Sequence, residues 1–469
     1  MKLPRLGCLA LCACLAAPVS AAQGVTLPAV RHVALDNGAR IVLIEKHDVP
    51  LIGLHAVIQG GAVSDPDGQA GLTSLLAGLM EKGAGERSAA DFAEAIDSVG
   101  GSLSASADLE SITISGEFLA RDADLMIELL ASMLREPRLE AAELAKLRDR
   151  QVNLIRAAKD GDPRRLTPVY GGAFLFADHP YGRPVFGDEE SLARIDHRDV
   201  RGYYEDFVGA DRLIIAVAGD FAADTMAEKL TAAFADWRAA VVPLPAFEAP
   251  QAQTGRRILL VDKPGATQTY FWIGNVGVDI GFAQRAELDI ANTLFGGPLM
   301  GSLLMTEIRV KAGLTYGAYS SLKRPSKAGS VAMISYTKTE STVEAIDLAL
   351  SLLQKIHLEG FPDDLITSGK NYILGQYAPD FETAEQLAGQ FAELAALGLD
   401  ESFVNDYSDA VAAADGEAIR SVISDVYPTL DNLAFVIIGD AELIRGDIAK
   451  YGPITEMAII EPRFAPGID

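Results

Sequence analysis

The sequence predicts an α+β fold of two homologous domains, each a mostly antiparallel sheet packed with helices. Three observations predict it. First, DRLIIAVAGD at 211–220 returns 220 residues later as DNLAFVIIGD at 431–440. Second, ARIVLIEK at 39–46 returns 217 residues later as RRILLVDK at 256–263. Near-equal offsets at both ends of a unit of about 200 residues are what two copies of one domain give. Third, strands are grouped beside long helical stretches, without the strict alternation of a parallel α/β sheet. With 469 residues the chain is also too long for one ordinary core.

In chain order, residues 1–22 read as a secretory signal peptide. Lys2 and Arg5 make a basic start, 6–17 are apolar, and Val19-Ser20-Ala21 is a small-residue cleavage signal. A lipid-anchored variant through Cys14 in LCAC is the second choice. All three cysteines, Cys8, Cys12 and Cys14, fall in this segment, so the mature chain has no disulfide, no thiol nucleophile and no Cys-ligated zinc. Export without disulfides fits a bacterial periplasm. No later apolar run reaches the ~18 residues of a membrane span.

The first domain is expected at 23–238. Strands at 40–46 and 51–59 open it, followed by the uncharged helix GLTSLLAGLM at 71–80. Ser88 and Asp91 resemble a capping box. Strands at 102–107 and 111–118 follow, and SITISGEF alternates with the period of a half-covered strand. Helices at 123–134 and 141–159 come next. The linker AAVVPLPAFEAPQAQTG, 239–255, holds three prolines that disfavour regular helix. The second domain, 256–469, repeats the plan: strands at 257–263, 268–276, 315–322 and 330–336, then helices at 343–358, 362–377 and 383–397.

The formal charge of −25 becomes −27 once Lys2 and Arg5 are removed. Phosphate backbones repel such a surface, which argues against nucleic acid as a partner. The six histidines, His32, His47, His55, His179, His197 and His357, include no two spaced three to five residues apart. A helical zinc motif of H-E-x-x-H or H-x-x-E-H type is therefore absent, as are a G-x-S-x-G elbow and a P-loop. His47 and His55 read as surface or core residues beside strands. His197 reads as a solvated residue at a helix start, and His179 as part of a rigid turn in HPYGRP.

The stretch LFGGPLMGSLLMTEIRVKAGLTYGAYSSL, 294–322, is more pointed. Gly296 and Gly297 permit a tight turn or a close backbone approach to a ligand. A helix carrying Glu307 and Arg309 is expected to end at Gly313, with Tyr316 at the start of the next strand. Arg309 and Tyr316 are both donors suited to a carbonyl or carboxylate oxygen. From the residues alone, an exposed Arg and a half-buried Tyr of no function is the preferred reading.

From His32 to Gly439 the chain resembles the pitrilysin/insulinase family of inverzincin metallopeptidases, which includes the mitochondrial processing peptidase. The resemblance is carried in order by LDNGARIVLIEK, IQGGAVSDPDGQAGLTSLL, DSVGGSLSASADLESITISGEFL, HPYGRPVFGDEESL, GATQTYFWIGNVGV, LFGGPLMGSLLMTEIRVKAGLTYGAYS and the two strands ending in GD. Active members carry H-x-x-E-H on the helix after G-x-A-G-L. Those positions here are Ser74, Ala77 and Gly78. The third ligand, a glutamate roughly 75 residues on, falls near Leu154 and Ile155. The resemblance therefore implies a chain with no metal of its own. It implies a non-catalytic subunit that lends Arg309 and Tyr316, from R-x-x-x-G-L-x-Y, to the zinc site of a homologous partner cleaving peptides. Relatives carry S-R-L where this chain has Ser302-Leu303-Leu304. The alternative the family offers is an inert structural or peptide-binding scaffold of the same fold.

Overall fold

In the computed structural model the described residues are 27–466. The expected signal peptide at 1–22 and the alternative lipid site at Cys14 lie outside them. Two six-stranded sheets organise the chain. The first holds β1 (Val30–Ala34), β2 (Arg40–Glu45), β3 (Leu51–Gln59), β4 (Ser102–Ala107), β5 (Ser111–Leu119) and β6 (Leu213–Gly219) in the order β1-β2-β6-β3-β5-β4. The second holds β7 (Arg257–Asp262), β8 (Gln268–Val276), β9 (Ala318–Lys323), β10 (Ser330–Lys338), β11 (Ala434–Gly439) and β12 (Ile454–Ala458) in the order β12-β7-β11-β8-β10-β9. Every pair in the first sheet is antiparallel except β2–β6. In the second, β7 runs parallel to both β11 and β12. The chain is α+β in two sheet-and-helix units.

The sequence repeat maps β2 onto β7, β3 onto β8, the hairpin β4–β5 onto β9–β10, and β6 onto β11. The outer strand breaks the symmetry: β1 comes from before the unit and pairs antiparallel, whereas β12 comes from after it and pairs parallel. Local chemistry explains the helix starts. Ser88 and Asp91 form the expected capping box of the helix Ala89–Asp97, satisfying backbone donors that a first helical turn leaves open. Among the described residues no helix is long and apolar enough to cross a membrane.

Alternation along β3 gives the first sheet two apolar faces. Ile52, Leu54, Ala56 and Ile58 turn toward the helix layer that includes Leu72, Leu75 and Leu76. Val57, with Val42, Ile44, Ile214, Ala216 and Ala218, faces the other way and is covered by Leu387, Ala388, Phe391 and Ala392 of the helix Ala384–Leu397. That helix belongs to the second half. Its counterpart one repeat earlier, Thr167–Phe176, belongs to the first half and packs on β8 and β11 of the second sheet. The two halves thus exchange equivalent helices.

The exchange needs close approach. At Gly171 a Cβ would stand 2.7 Å from the Trp272 ring, and at Gly53 it would stand 2.3 Å from the Glu385 backbone nitrogen. Backbone cannot yield as a side-chain tip can. Gly53→Ala is therefore expected to cost about 1–3 kcal/mol in urea unfolding. Gly446→Ala, on an exposed helix with open space around it, is expected to add up to about 1 kcal/mol. Equal stability of Gly53→Ala and the parent chain would show that the packing is looser than described.

Candidate functional site

The helix Leu72–Met80 is held at its start by Asp65. Its buried carboxylate accepts from Gly71 N–H at 2.8 Å, from Thr73 N–H at 2.9 Å, and from the Thr73 hydroxyl. Gly71 has φ +93°, a conformation that favours glycine. Burial pushes the Asp65 carboxyl up to about 6, against the pull of its hydrogen bonds to Thr73 and Gly71 and of the Arg183 charge. The folded state therefore binds this proton more tightly than the unfolded chain, so stability falls as pH rises through 6. Between pH 5 and pH 7 the loss from this group is expected to be about 1.4 kcal/mol. Urea unfolding at both pH values should show that slope flattened in Asp65→Asn. An equal slope in the two proteins would mean that Asp65 titrates normally.

Past this cap, Ala77 is buried and Ser74 and Gly78 are half-buried. Gly78 sits against the helix Ala141–Asp160, where a Cβ on it would lie 3.4 Å from Leu147 Cδ1. On that second helix Ile155 is buried and Leu154 is 55% exposed. Zinc needs three or four nitrogen, sulfur or carboxylate donors at about 2.0–2.3 Å. A hydroxyl, a methyl group, a glycine and two aliphatic side chains do not supply them, and a leucine fills part of the space beside them. The residues present do not fit the metal. Among the described residues no group of three or more His, Cys, Asp or Glu is arranged to hold one.

Most of the histidines have other partners. His47 Nδ1 lies 2.7 Å from Asp220, and that hydrogen bond raises its pKa. His179 Nδ1 accepts from Tyr181 N–H at 3.1 Å while Nε2 donates to the Glu248 carbonyl at 2.9 Å, which makes it part of the expected turn. His197 departs from its expected solvated role: its Nε2 lies 2.6 Å from the Leu139 carbonyl and ties its helix start to the connection between the helices Ala123–Arg135 and Ala141–Asp160.

In the second half, the helix Arg285–Gly296 ends against β9. A Cβ on Gly296 would meet Ser320 N at 2.4 Å, and one on Gly297 would meet Thr293 Cα at 2.7 Å. Both glycines are buried; packing of helix against strand accounts for Gly296 and the helix's own C-terminal cap for Gly297, without a ligand. Ser302 and Leu304 are buried as well.

Arg309 lies in a π-helical segment, Met305–Lys311, where an ordinary α-helix was expected. Such wider turns recur at functional positions. Glu307 is engaged by Lys311 at 2.7 Å, so it does not neutralise Arg309. Among the described residues the guanidinium's hydrogen-bond partner is Met305 Sδ, at 3.8 Å, and it has no carboxylate partner. Gly313, at φ +66°, ends the segment, and Leu314 N–H donates back to the Ile308 carbonyl at 3.0 Å. Tyr316 follows and is 78% exposed. It precedes the strand by two residues, because β9 begins at Ala318 rather than at the expected 315. Met300 and Val310, 62% and 67% exposed, lie in the same region of sequence.

A cavity of about 1210 Å³ opens between the two halves, lined among others by His55, Gln59, Trp272, Arg324 and Glu393. Sequence reasoning did not anticipate it. It lies across β3 from Ser74, Ala77 and Gly78, since His55, Val57 and Gln59 face it while their neighbours face the helix layer. At its rim, Glu110 from the β4–β5 turn accepts from Ser326 N–H at 2.8 Å and Tyr181 OH at 2.7 Å. Ser326 lies in the equivalent β9–β10 turn, so equivalent hairpins latch the halves together.

Comparisons with known proteins agree with this geometry. Residues 40–189 match the family described as Insulinase (Peptidase family M16), and residues 194–373 match the Peptidase M16 inactive domain. A non-peptidase homolog, YmxG of Helicobacter pylori, is 23% identical over 430 residues, covering 89% of this chain and 96% of its own. An uncharacterised zinc protease of Mycobacterium tuberculosis is 27% identical over 340 residues, covering 71% of this chain and 76% of its own. Among solved structures, a peptidase M16 inactive domain from Pseudomonas fluorescens superposes with TM-score 0.80 at 20% identity, over 87% of this chain and 98% of its own. A Helicobacter pylori protease superposes with TM-score 0.81 at 19% identity, over 88% of this chain and all of its own. At these identities the superpositions speak to fold alone.

Proposed function

This chain belongs to the insulinase (M16) family of peptidases, and from that premise we propose that it is the non-catalytic subunit of a heterodimeric zinc metallopeptidase acting on peptides outside the cytoplasm. The observation that carries the reading is a pairing of opposites. The metal positions are filled by Ser74, Ala77 and Gly78, while Arg309, with no carboxylate partner among the described residues, and the exposed Tyr316 stand on one short hydrogen-bonded segment. A buried scaffold has no need to keep a guanidinium unpaired beside a well-held loop.

In the mixed complex the H-x-x-E-H residues of a homologous partner would hold the zinc, which would supply Lewis-acid polarisation of the scissile carbonyl and an activated water. This chain binds and orients. Arg309 presents fixed N–H donors to a substrate carbonyl or carboxylate, and the Tyr316 hydroxyl donates to an oxygen on which negative charge develops. Preorganised donors of this kind lower the barrier because they need not move during the reaction.

Co-expression with an H-x-x-E-H relative from the same organism tests the reading. The expected result is a stable mixed dimer holding one zinc, which cleaves an internally quenched peptide that neither chain cleaves alone. Stoichiometric zinc and turnover in this chain by itself would overturn it. A partner whose activity is the same with and without this chain would favour the scaffold reading instead. Fractionation of the source cells tests export: the chain is expected in the periplasmic fraction, shortened near Ala21.

A further inference from the structure

We infer that Thr315, Ser335 and Thr337 are positioning residues for Tyr316, three buried hydroxyls that hold the 314–317 backbone where a strand ladder stops. The inference rests on the reading of Tyr316 given above. The β9–β10 ladder runs from Lys323 opposite Ser330 to Ala318 opposite Ser335 and ends there. β10 does not end: it continues to Lys338, paired on its other side with β8 as far as Gln268. Beyond Ser335 the β9 side of β10 therefore lacks a strand partner. A continued β9 would put Tyr316 opposite Thr337 and commit its ring to the strand's alternation.

Side chains take over instead. Ser335 Oγ donates to the Gly317 carbonyl at 2.8 Å and lies 3.3 Å from Thr315 Oγ1. Thr315 Oγ1 accepts from Gly317 N–H at 3.1 Å. Thr337 Oγ1 donates to the Leu314 carbonyl at 2.7 Å. All three residues are buried. On β10 the alternate positions 331 and 333 are apolar members of the core, and 335 and 337 follow them with the same period. A hydroxyl on a core face is costly unless it is bonded, and here every partner is the loop or another member of the set. The loop is fixed by its neighbours' hydroxyls, and Tyr316 is released to project into solvent. Leu314, held by Thr337, also bonds back to Ile308 in the segment that carries Arg309. One set of contacts thereby anchors both donors.

The test uses a Ser335→Ala/Thr337→Val double variant, which keeps side-chain volume, beside Thr337→Ser as the conservative replacement. In the isolated full chain, amide exchange at 314–318 is expected to rise at least tenfold in the double variant and to stay near the parent value in Thr337→Ser. In the mixed complex with an internally quenched peptide, kcat per dimer is expected to fall about fivefold in the double variant with KM little changed, because Tyr316 acts on developing charge. Dimer content is measured on the same samples, so mere loss of folded protein is corrected for, and Thr337→Ser is expected to keep the parent kcat. Unchanged exchange overturns the inference, and so does faster exchange with unchanged kcat per dimer. If Tyr316→Phe itself changes nothing in the complex, the functional reading of Tyr316 falls, while the exchange result still decides whether the hydroxyls hold the loop.

Discussion

Arg309→Ala is expected to lower kcat/KM of the mixed complex on the order of 10²–10³-fold, the loss seen when one preorganised donor is removed from a site that stabilises developing charge. Three features of the structure set that size. The guanidinium has no carboxylate partner among the described residues, so no internal ion pair is broken by the substitution and the fold loses little. Lys311 engages Glu307, the nearby acid that would otherwise compete for it. The π-helical turn and the Gly313 stop fix the segment on which it stands. Arg309→Lys is expected to recover little, because an ammonium lacks the planar fork. Tyr316→Phe removes one hydroxyl from an exposed ring and is expected to cost about tenfold, near the energy of a single hydrogen bond to a charged group. Initial rates on a quenched peptide, with dimer content and zinc measured on the same samples, give the answer. Parent-like turnover in both variants, with intact dimers, would remove these residues from the chemistry.

How far the sequence reaches can be judged from particular elements. The repeat was legible because β2 and β7, and β6 and β11, are buried on both faces and read as continuous apolar runs. The loss of the metal was legible because H-x-x-E-H is a strict spacing and Ser74, Ala77 and Gly78 leave no ambiguity. The start of β9 was misplaced because LTYGAY has strand-like composition, yet the Thr315 hydroxyl turns back onto its own backbone, the competition that Ser and Thr offer to regular structure. The π-helical turn at Met305–Lys311 leaves no mark in the sequence that distinguishes it from an ordinary helix. Nothing in the turn SDPDG marks Asp65 as the cap of the next helix; only the tertiary structure buries it there. Least legible was the exchange of helices. The pattern of Ala384–Leu397 shows an apolar face but not which sheet that face covers.

That exchange leads to the other large effect. Residues 27–238 made alone are expected not to fold, although they hold a complete sheet and its helix layer. Without the second half, Val42, Ile44, Val57 and Ile214 lose the cover of Leu387 and Phe391. Each large apolar side chain left in water forfeits about 1.5–3 kcal/mol, and a few of them exceed much of the ~5–15 kcal/mol that a domain has in total. The C-terminal segment adds to the loss. Phe464 is buried in the first half, edge-on to Tyr170 at 4.9 Å, and Arg463 pairs with Glu190. Lys159, itself buried, donates to the Glu461 carbonyl at 2.6 Å and to Glu189 at 2.9 Å, so one of its partners leaves with the second half. The second half suffers reciprocally, since the helix Thr167–Phe176 no longer covers Trp272. Each half alone should aggregate or bind hydrophobic dye without a cooperative unfolding transition. The two co-expressed, cut within 239–255, should recover a soluble complex with the circular dichroism of the intact chain. A first half that is monomeric and unfolds cooperatively on its own would show that the helix exchange is dispensable packing.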